Sequence, residues 1–248
     1  RAAADIGANW IVEAEADILE HDPRNPVIVT KNVGDNVGGV AGMSSDLFES
    51  YVSAIVAAML LATFGGLAAD NVVSGVAYPL LIASVGILVA IGNTRFVQTE
   101  EGATQGDLLG SLRTGVWMAS AMMAIAIVVL GFIVDLGFGV IAATLAGLLG
   151  GVLIGFSAEY HTSAAYSPIK QLVASAQKGV GVATIRGLSV GMESVLTPVA
   201  VVVFVTLVSI TTAGFYGVAV AAVGMVSTLG IVLATDAYGP VADNAHGI

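Results

Sequence analysis

The sequence predicts an all-α polytopic membrane protein with about six transmembrane helices. Three observations lead to this prediction. Of the 248 residues, 56% are hydrophobic and only 10% are charged; the mean hydropathy is +0.93; and apolar runs of about twenty residues recur along the chain. Soluble domains do not combine these values. The chain has no cysteine, which excludes disulfides and thiolate metal sites.

Each predicted span contains enough large apolar residues to insert into a bilayer, and its interruptions are mainly Gly, Ser and Thr. Small residues, as in the Gly-Leu-Leu-Gly-Gly stretch at 147–151, let helices approach closely in lipid. We therefore expect most glycines to serve helix packing. The expected spans are residues 46–69, 75–94, 112–134, 138–158, 187–211 and 214–236.

The basic residues predict the orientation of the protein in the membrane. All eight fall on one side of a six-span arrangement, and the short loops on the other side contain no Lys or Arg. By the positive-inside rule, the basic side, the polar motifs and both chain ends are cytoplasmic. The basic residues are Arg1, Arg24, Lys31, Arg95, Arg113, Lys170, Lys178 and Arg186.

Carboxylates are concentrated in the polar segments that flank the apolar runs. The net charge is −10, and an acidic, Gly-rich stretch at residues 22–49 runs directly into the first predicted span. This balance argues against nucleic acid as a partner, whereas clustered carboxylates favour hard divalent cations such as Mg²⁺. The glycines at 33–38 do not match a nucleotide-binding phosphate loop, so we do not expect ATP to bind.

Three acidic residues in the first predicted span and in the polar stretch before it are candidates for ion chemistry. Asp35 and Asp46 are eleven residues apart, which on an α-helix is about three turns and returns to nearly the same face. Glu49 lies one turn further on. A carboxylate inside a membrane costs free energy, so its presence there indicates a function. The alternative is that Asp46 and Glu49 lie at the membrane interface, where water could hydrate them.

Further acidic candidates lie in the last two spans and beyond them. Asp236 and Asp243 are seven residues apart, so on a helix they would share a face two turns apart. They could bind a cation or cap a helix terminus, and Pro240 could kink that helix. Glu193, two turns inside the fifth span, could be an ion ligand or could hydrogen-bond to neighbouring helices.

Several long segments resemble the signatures of the membrane-integral pyrophosphatases, which are pyrophosphate-energised H⁺ or Na⁺ pumps. The similarity covers the whole chain in order and implies that the chain would be an internal fragment, about the middle third of a larger multi-helix bundle. The segments are residues 22–26, 32–38, 46–51, 159–163, 191–194 and 222–245.

The resemblance implies a division of the chain into functional parts. Residues 1–248 would be one membrane domain, with a cytoplasmic catalytic loop and helix start at 1–45. The six transmembrane helices would follow at 46–236, and a further cytoplasmic motif would begin at 237–248. The resemblance also implies a homodimer with several membrane passes in a prokaryotic inner membrane.

The resemblance also implies roles for individual residues. Pyrophosphate would bind as a Mg²⁺ complex, and a water held by aspartates would attack phosphorus. Glu49, in the sequence Phe48-Glu49-Ser50-Tyr51, resembles the K⁺-dependent, often Na⁺-pumping branch, so K⁺ and Na⁺ are further candidate ions. The resemblance implies that Asp5, Glu20, Asp35 and Asp243 are ligands of the metal or of pyrophosphate, and that Asp35 and Asp243 are also catalytic; the spacing of Asp236 from Asp243 adds Asp236 to the metal ligands. It implies that Asp46 and Glu49 form the ion gate, to which the position of Glu193 inside the fifth span adds that residue.

The chain departs from the family pattern at several positions. Lys31 and Gly39 stand where the family has aspartate, Asn9 also replaces an aspartate, and Ala2 and Glu13 replace lysines. Two alternatives to a working pump therefore stay open. One is a catalytically silent homologue with a structural or regulatory role, and the other is a secondary ion transporter that uses the same acids without hydrolysis.

Overall fold

A computed structural model describes residues 27–65, 67, 71–100, 102 and 105–247. Within these ranges the regular secondary structure is helical throughout, as the composition predicts. The elements are α1 (Val27–Gly34), a π-helical segment (Asp35–Gly42), α2 (Met43–Phe64), α3 (Val72–Asn93), a 3-10 turn (Thr94–Phe96), α4 (Gln105–Val134), α5 (Phe138–Thr162), α6 (Ser167–Ala176), α7 (Val180–Val226) and α8 (Leu229–Gly247).

Five helical stretches in the described part of the chain are long and apolar enough to cross a membrane, and Leu229–Ala242 is a shorter apolar helix. The prediction of an all-α polytopic membrane protein is therefore confirmed. The five stretches are Val27–Phe64, Val72–Phe96, Gly110–Val134, Phe138–Ala176 and Val180–Val226.

Helix α7 contains the boundary that the sequence predicts between the fifth and sixth spans. Its backbone leaves the helical conformation at Ala213 and at Gly214, where φ is +61°. A positive φ is readily adopted by glycine because it has no Cβ. We call the two arms α7a (180–212) and α7b (215–226). The predicted sixth span is itself divided, because α7b ends before α8 begins at Leu229.

The chain forms two compact units, which we call the terminal unit (Arg1–Val52 with Leu229–Ile248) and the central unit (Ser53–Thr228). In the central unit, α5 packs along both arms of α7, and α4 packs against α3 and α5. Many large apolar side chains on these helices are exposed. Such faces suit a protein whose surroundings are lipid.

Glycines bring the helices of the central unit into backbone contact. A Cβ placed on Gly147 of α5 would overlap the carbonyl oxygen of Ala221 in α7b, and a Cβ on Gly217 would lie 2.5 Å from the carbonyl oxygen of Ser209. Such close approaches are typical of membrane helices, which associate by packing rather than by the hydrophobic effect. At these positions the predicted packing role of glycine is confirmed.

Proline in α3 is compensated by a tyrosine from α7b. Pro79 lies inside α3 and has no N–H to donate to the carbonyl of Gly75, four residues earlier. The hydroxyl of Tyr216 donates a hydrogen bond to that carbonyl at 2.8 Å, and the Tyr216 side chain is 1% exposed. The tyrosine therefore replaces the missing backbone donor and links α7b to α3.

Replacement of Tyr216 by phenylalanine should destabilise the full-length protein by about 1–3 kcal/mol, because the Gly75 carbonyl would be left buried without its donor. The measurement is the midpoint of thermal unfolding in detergent. Tyr78→Phe is the matched control: the Tyr78 hydroxyl donates to the carbonyl of Ile127 at 3.3 Å, which can also accept an N–H within α4. Equal losses in the two variants would contradict the assigned role of Tyr216.

The two ends of the central unit differ in charge. Hydrogen bonds from Arg113 to Glu159 and from Arg186 to Gln171 place these groups at the end formed by the C-terminus of α5 and by α6. All basic residues between 53 and 228 belong to segments at this end: Arg95, Arg113, Lys170, Lys178 and Arg186. The opposite end includes the α4–α5 turn at Asp135, where φ is +54°.

Candidate functional site

The candidate site lies in the terminal unit, where α8 packs against both α1 and the π-helical segment. Together α1, the π-helical segment and α2 form one apolar stretch, Val27–Phe64, that is long enough to cross a membrane. The arrangement therefore brings the helix that contains Asp35 against the helix that contains Asp236. These are two of the segments in which the sequence predicts carboxylate chemistry.

Asp35 begins a π-helical segment of eight residues. The segment contains glycines at 38, 39 and 42, and the N–H of Met43 donates to the carbonyl of Gly38, five residues earlier. A Cβ on Gly42 would lie 3.2 Å from the carbonyl oxygen of Val37, so a small residue suits this position. π-Helical turns are rare and are frequent at functional sites.

Asp35 and Lys31 are both buried in the terminal unit. The Asp35 side chain is 1% exposed, and the Lys31 side chain, one helical turn earlier, is 8% exposed. Ionised side chains are seldom buried this completely unless other charges or ligands compensate them. Two residues of opposite formal charge are thus buried one turn apart on this helix.

The structure does not place Asp46 and Glu49 on the face of Asp35. Both residues are exposed on α2, whereas Asp35 is buried. The predicted stripe assumed α-helical spacing from Asp35 to Asp46, and this assumption is wrong because residues 35–42 are π-helical. The i→i+5 bonding of a π-helix turns the chain less per residue, so later side chains point in other directions.

Helix α8 supplies oxygen atoms to the terminal unit. It continues through Pro240, which has no N–H for the carbonyl of Asp236, four residues earlier, and the Asp236 side chain is partly buried. Asn244 Oδ1 is buried and has no hydrogen-bond partner among the described residues. Asp243 lies on the same helix, so the helical spacing assumed for the Asp236–Asp243 pair is present.

The remaining predicted residues belong to other parts of the chain. Glu193 is exposed on α7a in the central unit. Asp5 and Glu20 lie outside the described residues. The predictions did not include Asn244, or Tyr51, whose hydroxyl is buried without a hydrogen-bond partner in the described part of the chain. Two signals for Asn244 were present in the sequence: it follows Asp243 directly, and it lies in one of the segments that resemble the family signatures.

The donor atoms of the terminal unit fit Mg²⁺ in chemical type. Asp35 and Asn244 offer buried oxygen atoms, the ligands that this hard cation prefers. The described residues contain no group of three or more acidic, His or Cys side chains that could hold a metal. Mg²⁺ is often bound by one or two carboxylates together with water and substrate phosphates, so such a limited donor set is compatible with it.

A second polar cluster lies at the basic end of the central unit. The Arg113 guanidinium donates from Nε to both carboxylate oxygens of Glu159, at 2.8 and 3.1 Å, and from Nη2 to Glu159 and to the Tyr166 hydroxyl. The same guanidinium lies 5.7 Å from the centre of the Tyr166 ring. The bidentate Arg113–Glu159 pair connects α4 to α5, and the bond to Tyr166 adds the segment before α6. Glu159 is the first residue of the family-like segment 159–163.

The fold and the terminal unit define a class of protein: a polytopic α-helical membrane protein with acidic and amide groups on packed helices. Comparison with known families gives the next step. The model of the family described as inorganic H⁺ pyrophosphatase matches residues 1–248, and the chain belongs to this family. The resemblance seen in the sequence is thereby confirmed.

Named relatives support the same assignment. The chain is 44% identical to a putative K⁺-stimulated pyrophosphate-energised sodium pump of Bacteroides thetaiotaomicron, over 99% of this chain and 35% of the relative. It is 40% identical to a K⁺-insensitive pyrophosphate-energised proton pump of Methanosarcina mazei, over 99% of this chain and 37% of the relative. The chain thus spans about a third of the length of these relatives.

Proposed function

We propose that this chain is part of a pyrophosphate-energised cation pump, in which hydrolysis of Mg-pyrophosphate at a cytoplasmic site drives Na⁺ or H⁺ across the membrane. The observation that supports this most is Asp35, 1% exposed in a Gly-rich π-helical segment that packs against α8. A buried carboxylate in an unusual backbone is the feature expected of a reaction site. The family membership supplies the reaction class.

In the proposed reaction, Asp35 and Asp243 hold the attacking water, Asp35 accepts its proton as the water oxygen bonds to phosphorus, and the bridging P–O bond breaks to release phosphate. Asp5, Glu20, Asp35, Asp236 and Asp243 are the proposed ligands of Mg²⁺, with Asn244 as an added oxygen donor. When bound, the metal would neutralise charge on the phosphate oxygens as the bond to phosphorus breaks. Burial of Asp35 keeps its carboxylate in a fixed position, which favours in-line attack.

Asp46, Glu49 and Glu193 are the proposed ion-gate residues. Each is a carboxylate on a helix that is apolar enough to cross a membrane, and such groups are typical of ion pathways. The two named relatives are a putative K⁺-stimulated sodium pump and a K⁺-insensitive proton pump. Both Na⁺ and H⁺ are therefore candidate transported ions, and K⁺ is a candidate activator.

We further propose that the basic end of the central unit faces the cytoplasm. We also propose that the protein lies in the inner membrane of a prokaryotic cell and works as a homodimer. The positive-inside rule supports the orientation, because the described basic residues of the central unit belong to one end. The dimer and the prokaryotic membrane rest on resemblance to the family.

The test of hydrolysis is phosphate release from pyrophosphate by membranes that contain the full-length protein. We expect release that requires Mg²⁺ and responds to Na⁺ or K⁺. Membranes from the same cells without the protein are the control. No release from correctly inserted, folded protein would contradict the proposal and favour a silent homologue, and ion flux without any response to pyrophosphate would favour a secondary transporter.

A further inference from the structure

Lys31 is a buried cation in the terminal unit. It lies in α1, one helical turn before Asp35, and its side chain is 8% exposed. Helix α1 packs against α8 and continues directly into the π-helical segment. The ammonium group therefore belongs to the same packed set of helices as the candidate carboxylates, and not to a solvated surface.

The described segments of the terminal unit carry more acidic than basic residues. Residues 27–52 and 229–247 contain one Lys or Arg, Lys31, and five acidic residues: Asp35, Asp46, Glu49, Asp236 and Asp243. Carboxylates alone would repel an anionic substrate such as pyrophosphate. An anion that binds among these carboxylates needs cations beside it, and Lys31 is the basic side chain that residues 27–52 and 229–247 can add to any bound Mg²⁺.

We propose that Lys31 contacts a phosphate oxygen of bound pyrophosphate directly and so supplies a fixed positive charge beside the Mg²⁺ ligands. This inference rests on the proposed function. Lysine suits the task because its ammonium is a compact charge with three donors, and lysine is a common phosphate binder. Burial strengthens the interaction, since surrounding water screens it less.

A measurement on the unaltered protein tests the contact without relying on turnover. The full-length protein is treated with an amine-reactive reagent, with and without Mg²⁺ and imidodiphosphate, a non-hydrolysable pyrophosphate analogue, and modification is quantified by mass spectrometry at Lys31 and at Lys178. Lys178 is exposed in the central unit and serves as the internal control. We expect the analogue to slow modification of Lys31 severalfold and to leave Lys178 unchanged.

Substitutions test the same contact by affinity. Lys31→Met should raise the KM for pyrophosphate and the Kd for Mg-imidodiphosphate by about tenfold or more, as expected for loss of one charged hydrogen bond. Lys31→Arg should restore part of this affinity, and Lys178→Met should leave both constants unchanged. A purely structural lysine would instead change thermal stability without this selective loss of affinity.

Two results would overturn the inference while leaving the proposed function intact. One is wild-type hydrolysis of pyrophosphate together with no protection of Lys31 by the analogue. The other is an unchanged KM and Kd in folded Lys31→Met protein. If the wild-type protein neither binds the analogue nor hydrolyses pyrophosphate, the proposed function fails, and the inference fails with it.

Discussion

Asp35→Asn should reduce pyrophosphate hydrolysis by the full-length protein about a hundredfold or more. The substitution keeps the size of the side chain but removes the group that would accept the proton of the attacking water, and general-base catalysis contributes about 10²–10⁴-fold. Asp35 is almost completely buried in the terminal unit, so water cannot easily replace its carboxylate. The measurement is the initial rate of phosphate release at saturating Mg²⁺ and pyrophosphate.

Asp135→Asn is the matched control for this experiment. Asp135 is exposed in the turn between α4 and α5 with a φ of +54°, a conformation that asparagine also accepts readily. The control should retain full activity and expression. Wild-type rates in folded Asp35→Asn protein would remove Asp35 from the proposed catalytic groups. A fall in both variants would indicate a general effect of neutralising acidic residues.

Gly147→Ala should destabilise the central unit by about 3 kcal/mol, or prevent its assembly. The added Cβ would overlap the backbone carbonyl of Ala221 in α7b, and a backbone cannot move aside as a flexible side chain can. Overpacking in a tight interior typically costs about 1–3 kcal/mol and sometimes more. The measurements are the yield of monodisperse protein in detergent and the midpoint of its thermal unfolding.

Gly155→Ala on the same helix provides the comparison. A Cβ at Gly155 would meet no atom within 4 Å, and alanine favours a helix over glycine by about 1 kcal/mol. We therefore expect this variant to fold at least as well as the wild type. Equal stability of the two alanine variants would contradict the close contact between α5 and α7b.

Much of the fold could be predicted from composition and spacing. Long apolar runs and Gly-rich stretches specify membrane helices and their close packing, because both properties are local in the sequence. The break between the fifth and sixth predicted spans coincides with the non-helical residues Ala213 and Gly214. The predicted sixth span was continuous, whereas the helices are divided between α7b and α8.

The geometry of the site was less predictable because it depends on backbone hydrogen bonding and on contacts between distant segments. Apolar periodicity does not distinguish a π-helix from an α-helix over eight residues. The predicted alignment of Asp35 and Asp46 on one helix face was therefore wrong. The packing of α8 on α1 joins segments almost two hundred residues apart. Neither the burial of Lys31 nor that of Asn244 Oδ1 follows from local sequence.

Pyrophosphate-driven ion uptake by sealed vesicles that contain the full-length protein tests the proposed pump most directly. Phosphate release and the uptake of Na⁺ and H⁺ would be measured in the same preparation, for wild-type and Asp35→Asn protein. We expect Mg-pyrophosphate to drive uptake of at least one of these ions, and Asp35→Asn to abolish uptake and hydrolysis together. Hydrolysis by the wild-type protein with no movement of either ion would contradict the coupling of this site to transport.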